Sequence, residues 1–151
     1  MTRWNADLYD QKHQFVSNFG GSLVAILQPK NGEQILDVGC GTGDIAFEIA
    51  KSGATVTGID AAASMIEKAA EKYPNCTFKV ADGQHFSFPT AFDAVFSNAA
   101  IHWMKNQQQV VHNCYEALRD GGRFVAELGR KKNIQAIVGA IQAASALLNI
   151  P

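Results

Sequence analysis

The chain has 151 residues with a formal net charge of −1, and hydrophobic residues make up 47% of it against 18% charged. That length suits one domain with a sizeable core, and the near-neutral balance gives no general attraction to nucleic acid or to an anionic membrane. Cys40, Cys76 and Cys114 are scattered, without a C-x-x-C pair. Together with the lack of a secretion-type leader or a bilayer-length apolar run, they predict reduced thiols, no metal site and a cytoplasmic location.

Residues 1–28 read as a helical cap of two short helices: Phe15, Phe19, Leu23, Ile26 and Leu27 recur at mostly helical spacing, interrupted by Gly20-Gly21. Pro29-Lys30-Asn31-Gly32 is a turn. Gln34–Val38 is a short apolar run, the pattern of a buried parallel strand. It breaks into glycines at every second position, Gly39, Gly41 and Gly43, after which Ile45, Ala46, Ile49 and Ala50 recur at helical spacing. Strand, glycine turn and helix open a nucleotide-binding βαβ unit, in which glycine lets the backbone turn sharply and approach a ligand. A dinucleotide fingerprint, G-x-G-x-x-G, would place its third glycine where Asp44 stands. The spacing is G-x-G-x-G instead, flanked by Asp37 and Asp44, and an acidic pair suits a cation better than a pyrophosphate. An NAD-type nucleotide-binding domain is the alternative.

Ala54–Ile59 reads as the second strand, and Asp60 follows it, 21 positions after Gly39. A carboxylate there can accept both ribose hydroxyls, or it can cap the helix starting near Ala62. Helix Ala62–Lys72, strand Thr77–Val80, a loop opened by Asp82-Gly83, strand Ala91–Ser97 and helix Asn106–Leu118 follow. That helix has Val110, Val111, Cys114 and Leu118 on one face. Asp120-Gly121-Gly122 is a hairpin-like break before strand Arg123–Leu128, and Ile134–Leu148 is a last amphipathic helix. Alternating strands and helices predict an α/β fold with a doubly wound parallel sheet, and right-handed crossovers favour strand order 3-2-1-4-5. Residues 1–151 form a single domain: the cap, a core over 33–129 and a last helix over 133–149. Ligands in such sheets bind at the switch point between strands one and four, which selects Gly39–Gly43, Asp60, Asp82–Gln84 and Asn98–Trp103.

The stretch Ile-Leu-Asp-Val-Gly-Cys-Gly-Thr-Gly-Asp at 35–44, followed by Asp60, resembles motif I of the class I S-adenosylmethionine (SAM)-dependent methyltransferases. The leader Trp4–Phe15 and the segment Ser97–Met104 are similar to the small-molecule group related to trans-aconitate methyltransferase. The resemblance implies SAM as cofactor, S-adenosylhomocysteine (SAH) as product and a small-molecule methyl acceptor. Asp37, Gly39, Cys40, Gly41, Gly43, Asp60 and Ala61 would then cradle the cofactor. Asp82 would accept the adenine amino group, with the backbone of Gly83 or Gln84 serving the ring nitrogens, unless Asp82 only closes an Asx turn. Asn98 and Ala99 would pass beside the methionine part, and Trp103 would be a pocket wall or core. Tyr9, Lys12, His13 and Phe15 would fold over the cofactor, or else belong to a helix on the sheet's edge. His102 and His13 are candidate general bases, the alternative for His102 being a structural or cofactor-side contact.

Asn98 is followed by Ala-Ala-Ile rather than Pro-Pro-Tyr, which argues against adenine N6 methylation. Arg3, Arg119, Arg123 and Arg130 all lie outside the site motifs, which does not favour a polycarboxylate such as trans-aconitate. Family members continue into strands six and seven, which are absent here. Strand five is therefore expected as an uncovered apolar edge, either because the chain is shortened or because a second copy pairs there. A truncated SAM-binding module without its own turnover is the competing functional class.

Overall fold

In the computed structural model, which describes residues 23–89 and 91–128, five strands form one wholly parallel sheet in the order β3-β2-β1-β4-β5. The strands are β1 (Gln34–Val38), β2 (Thr55–Asp60), β3 (Thr77–Val80), β4 (Phe92–Asn98) and β5 (Leu118–Glu127). The helices are α1 (Asp44–Ala50), α2 (Ala63–Lys72) and α3 (Gln107–Ala117), with a 3-10 turn over Ile101–Trp103. The expected strand order is the one observed. Residues 23–27 are helical. The rest of the expected cap, the last helix over 133–149, and Tyr9, Lys12, His13 and Phe15 lie outside the described residues.

The pleat sends alternate side chains to opposite faces and so divides the core in two. Leu36 and Val38 join Ile59, Val95, Val110 and Cys114 on the α3 face. Ile35 joins Leu23, Leu27, Ala46, Ile49 and Phe96 on the other. β4 is buried along its whole length, as a central parallel strand should be.

Two expectations need correction. The buried face of α3 is Val110, Cys114 and Ala117, whereas Val111 is 48% exposed and Leu118 already belongs to β5. Asp120-Gly121-Gly122 does not separate a helix from a strand. It lies within β5, where pairing jumps from Phe92↔Leu118 to Ala94↔Arg123. The glycines absorb that irregularity, Gly121 with φ +74, so regular pairing starts at Arg123.

The end of the sheet away from the switch point is closed by Arg123. Its guanidinium donates to Glu33 Oε1 at 2.8 Å and Oε2 at 2.7 Å, and to the carbonyls of Leu27 at 2.7 Å and Gln28 at 3.2 Å. That fork joins β5 to the carbonyl end of the 23–27 helix and to the turn before β1.

Candidate cofactor site at the switch point

β1 lies between β2 and β4, so its carboxyl end is where the chain passes to both sides of the sheet. The glycine turn leaves β1 here and is fastened to the end of β2. The N–H groups of Gly39 and Cys40 both donate to the Ile59 carbonyl, at 2.8 and 3.0 Å. Gly41 N–H donates to Asp60 Oδ2 at 3.1 Å. Gly39, Gly41 and Gly43 all have positive φ, +78, +54 and +84. At Gly39 a Cβ would stand 2.2 Å from the Ala100 Cβ, so this position admits only glycine. On the other side of β1, Ser97 Oγ donates to the Val38 carbonyl at 2.7 Å and ties the end of β4 to the same point.

Asp60 sits where the sequence placed it, but it is not the helix cap. The N-cap of α2 is Ala62, with no side-chain capping bond. Asp60 instead accepts Ala62 N–H at 2.9 Å on Oδ1 and Gly41 N–H on Oδ2. A carboxylate has about four acceptor positions, so each oxygen keeps capacity for a hydroxyl donor. Burial raises the Asp60 pKa, partly offset by the two backbone N–H bonds.

Asp37 is 2% exposed, and no hydrogen bond reaches its carboxyl among the described residues. Burial, and then the Asp60 charge beside it, push its pKa up to about 7. Cys40, between the two acids, has its thiol pKa pushed well above the ordinary value by burial and then by Asp37 and Asp60, so it is an inert thiol. A buried acid beside a partly buried one, with no cation paired to either among the described residues, forms a site that favours a positively charged ligand. Asp44 is not the second member of this pair, contrary to the sequence expectation. Its Oδ1 accepts Lys72 Nζ and Tyr73 Oη, each at 2.5 Å, which commits it to the end of α2. The acidic pair is Asp37 with Asp60.

The turn after β3 is an Asx turn: Asp82 Oδ1 accepts Gln84 N–H at 2.9 Å, and Oδ2 contacts His85 Nδ1 at 3.2 Å. The bond from Gln84 N–H leads the causes that lower the Asp82 pKa. The N-cap and the middle of α3 hold this turn, with Asn106 N–H donating to Gln84 Oε1 at 2.8 Å and Asn113 Nδ2 to the Gly83 carbonyl at 3.2 Å.

Asn98 is 9% exposed at the end of β4, and Ala99 follows with φ +51, a left-handed alanine that is strained. His102 and Trp103 follow on the 3-10 turn, with ring centroids 5.0 Å apart. Trp103 is 54% exposed, so it is not part of the core.

Two site residues went unread. Met104 lies beneath the Asp82–Gln84 turn: a Cβ on Gly83 would stand 2.7 Å from its Sδ, and one on Gly39 3.9 Å from its Cε. Phe78 packs where Cβ atoms on Gly43 and Gly58 would be, at 2.7 Å in both cases. A glycine within a strand, Gly58, was the available signal for that close approach.

The family described as a methyltransferase domain matches residues 35–122, a span from the first strand of this site into β5. The chain belongs to the class I SAM-dependent methyltransferases. It is 35% identical over 146 residues to an uncharacterized methyltransferase of Schizosaccharomyces pombe, covering 91% of this chain and 56% of that one. It is 36% identical over 128 residues to a trans-aconitate 2-methyltransferase of Deinococcus radiodurans, covering 83% and 49%. Among solved structures it is similar to a Haemonchus contortus phosphoethanolamine N-methyltransferase holding SAH and phosphomonomethylethanolamine. That likeness has a TM-score of 0.68 and 26% identity, and covers 83% of this chain and 33% of that one. The methyltransferase chain spans about half the length of the curated relatives it matches. The family's cofactor is SAM, which carries a sulfonium and an ammonium and no phosphate. The acidic pair beside the glycine turn fits that charge, and the NAD-type alternative is set aside. Among the described residues no helix is long and apolar enough to cross a membrane.

Proposed function

We propose that this chain supplies the cofactor half of a methyltransferase acting on a small-molecule acceptor. The observation that carries this reading is the buried Asp37 beside the partly buried Asp60 and a glycine turn at the switch point. In the proposal, Asp60 accepts the ribose hydroxyls on the oxygen capacity its two backbone bonds leave. Asp37 faces the positive charge of the cofactor, and Ala61 and the turn Gly39, Cys40, Gly41 and Gly43 border it. The Asp82–Gln84 turn meets the adenine, its amino group replacing the contact to His85, whose side chain is 78% exposed. Asn98, Ala99 and Trp103 border the methionine end, and Tyr9 is a further proposed cofactor contact.

When bound, SAM supplies a methyl group already activated by its sulfonium. The protein then has to align the acceptor, exclude water and, for some acceptors, take a proton. His102 and His13 are the groups proposed for that proton. Both are replaceable, and His102→Ala and His13→Ala should each leave measurable turnover. The likeness to trans-aconitate 2-methyltransferases supports a small acceptor, and a second copy pairing with the β5 edge is the partner proposed.

Isothermal titration with SAH tests the cofactor half. Binding that Asp60→Ala weakens by more than about 1 kcal/mol is expected for a lost charge-assisted hydrogen bond, and preferential binding of NAD would refute the reading. A panel of small acids, phenols and amines, assayed for SAH release, tests the acceptor. Tight SAH binding with no release on any of them would favour a binding module without turnover.

A further inference from the structure

Three glycines in five residues make a turn with many accessible conformations, and a ligand that needs one of them bears the entropy of fixing it. The turn's first half is fixed by the bonds of Gly39, Cys40 and Gly41 to Ile59 and Asp60. Its second half runs into α1, a helix of seven residues whose N-cap, Gly43, makes no side-chain capping bond. The last residue of α2 and its C-cap hold the first residue of α1 instead. Lys72 Nζ and Tyr73 Oη both reach Asp44 Oδ1, and Thr42 Oγ1 reaches Oδ2 at 3.4 Å. The Tyr73 ring stacks on Phe47, one turn into α1, with centroids 4.5 Å apart and planes 14° from parallel. The Lys72 ammonium lies 5.3 Å from the centroid of the same ring.

We propose that Lys72 and Tyr73 are positioning residues for the cofactor: by clasping Asp44 they fix the far half of the glycine turn in its binding shape. The inference rests on the SAM reading of the site. It gives Asp44 a task other than meeting the ligand's charge, and it makes the end of α2, outside every motif read in the sequence, part of the binding apparatus. Two separate contacts serve it, a charged hydrogen-bonded one through Asp44 and an aromatic one through Phe47. Only the first should matter for the turn's shape.

The test pairs Lys72→Met with Tyr73→Phe, which removes both donors and keeps the ring stacked on Phe47. SAH affinity is read by titration, and the backbone amide shifts of Gly39, Gly41 and Gly43 by NMR in the ligand-free protein. The double variant should bind SAH about fivefold more weakly, the range of a partly exposed charged contact. Its Gly41 and Gly43 amides should shift, and its thermal midpoint should stay close to the parent's. Lys72→Arg, which keeps a donor and the charge, should restore most of the affinity in a chain carrying Tyr73. Unchanged affinity and unchanged glycine shifts in the double variant would overturn the proposal. So would a loss of affinity that follows a lowered thermal midpoint while the glycine amides stay in place, because the cluster would then be only structural. If the parent itself fails to bind SAH, the SAM reading falls, and with it a proposal about SAM positioning.

Discussion

Replacing Asp37 by Asn keeps the shape of a buried carboxyl and removes its ability to ionise. In the folded protein Asp37 holds its proton up to about pH 7, against 3.8 for the same group in the unfolded chain. Between those values the folded state is the more protonated one, so stability falls as pH rises. At about 1.4 kcal/mol for each pH unit, the interval amounts to roughly 4 kcal/mol once pH 7 is passed, and internal relaxation around the charge reduces this toward 2. The Asn variant has no such loss. The two proteins should therefore have similar stability near pH 4, and the variant should be the more stable by about 2–4 kcal/mol at pH 8. Urea unfolding across pH 4–8 measures this directly, because at a slope of about 1–3 kcal/mol per molar the midpoint should differ by roughly 1–2 M at the alkaline end. SAM affinity should move the opposite way. In the parent it should rise with pH through about 7 as the Asp37 carboxylate forms, and in the variant that rise should be missing. A stability difference that is the same at every pH would refute the reasoning, because it would show that Asp37 does not bear an ionisation penalty in the fold.

Arg123→Met should destabilise the protein by about 2 kcal/mol at pH 7. The Arg123 bond leads the causes, the Lys30 N–H bond and charge among them, that take the Glu33 pKa from 4.5 to about 2; the whole shift corresponds to roughly 3 kcal/mol, discounted for the Lys30 share and because the Arg123 side chain is 33% exposed. That stability is present above pH 4.5 and is lost as pH falls toward 2, so the parent and variant acid-unfolding curves should converge there. Gly39→Ala should cost about 3 kcal/mol or more, or prevent folding, because its methyl meets Ala100 at 2.2 Å and its φ is +78; a stable variant that still binds SAH would contradict the close approach. Ala99→Gly should stabilise by about 0.5–1 kcal/mol, the relief of a left-handed alanine less the added freedom of glycine in the unfolded chain. Denaturant midpoints of parent and variant decide it, and a loss of stability would show that Ala99 is not strained.

The sheet could be read from the sequence because each of its determinants is local. Apolar runs of strand length alternate with helical spacing, and the handedness of parallel crossovers then leaves few orders to choose among. The switch-point rule was also enough to place Asp60 and the glycine turn together. Local patterns could not separate Asp44 from Asp37. Both acids flank the same turn, and only the fold brings Lys72 and Tyr73, 28 and 29 positions away, against one of them. The same limit applies to α3. Val111 and Ala117 are both apolar on a helix, and the side that meets the sheet is decided by how the helix lies across β4 and β5. Met104 went unread because a lone methionine after a tryptophan has no pattern, and its place beneath Gly83 follows from the path of the 3-10 turn.

The two halves of the cleft are fixed by different parts of the molecule, and that division bears on how the site can change. The glycine turn depends on the end of β2, through Ile59 and Asp60, and on the end of α2, through Asp44. The turn proposed to meet the adenine depends on α3, through its N-cap Asn106 to Gln84 and through Asn113 to Gly83. Among the described residues neither set takes a side-chain hydrogen bond from Ala99–Trp103, the segment at the methionine end of the proposed site, although the Ala100 Cβ packs against Gly39. Substitutions at His102 and Trp103 should reshape the acceptor side of the proposed site without moving the groups proposed to hold the ribose and the base, whereas Ala100 is packed against the glycine turn. Within one cofactor fold, acceptor choice should therefore vary with His102, Trp103 and whatever covers them, while Asp37, Asp60 and the two turns stay the same.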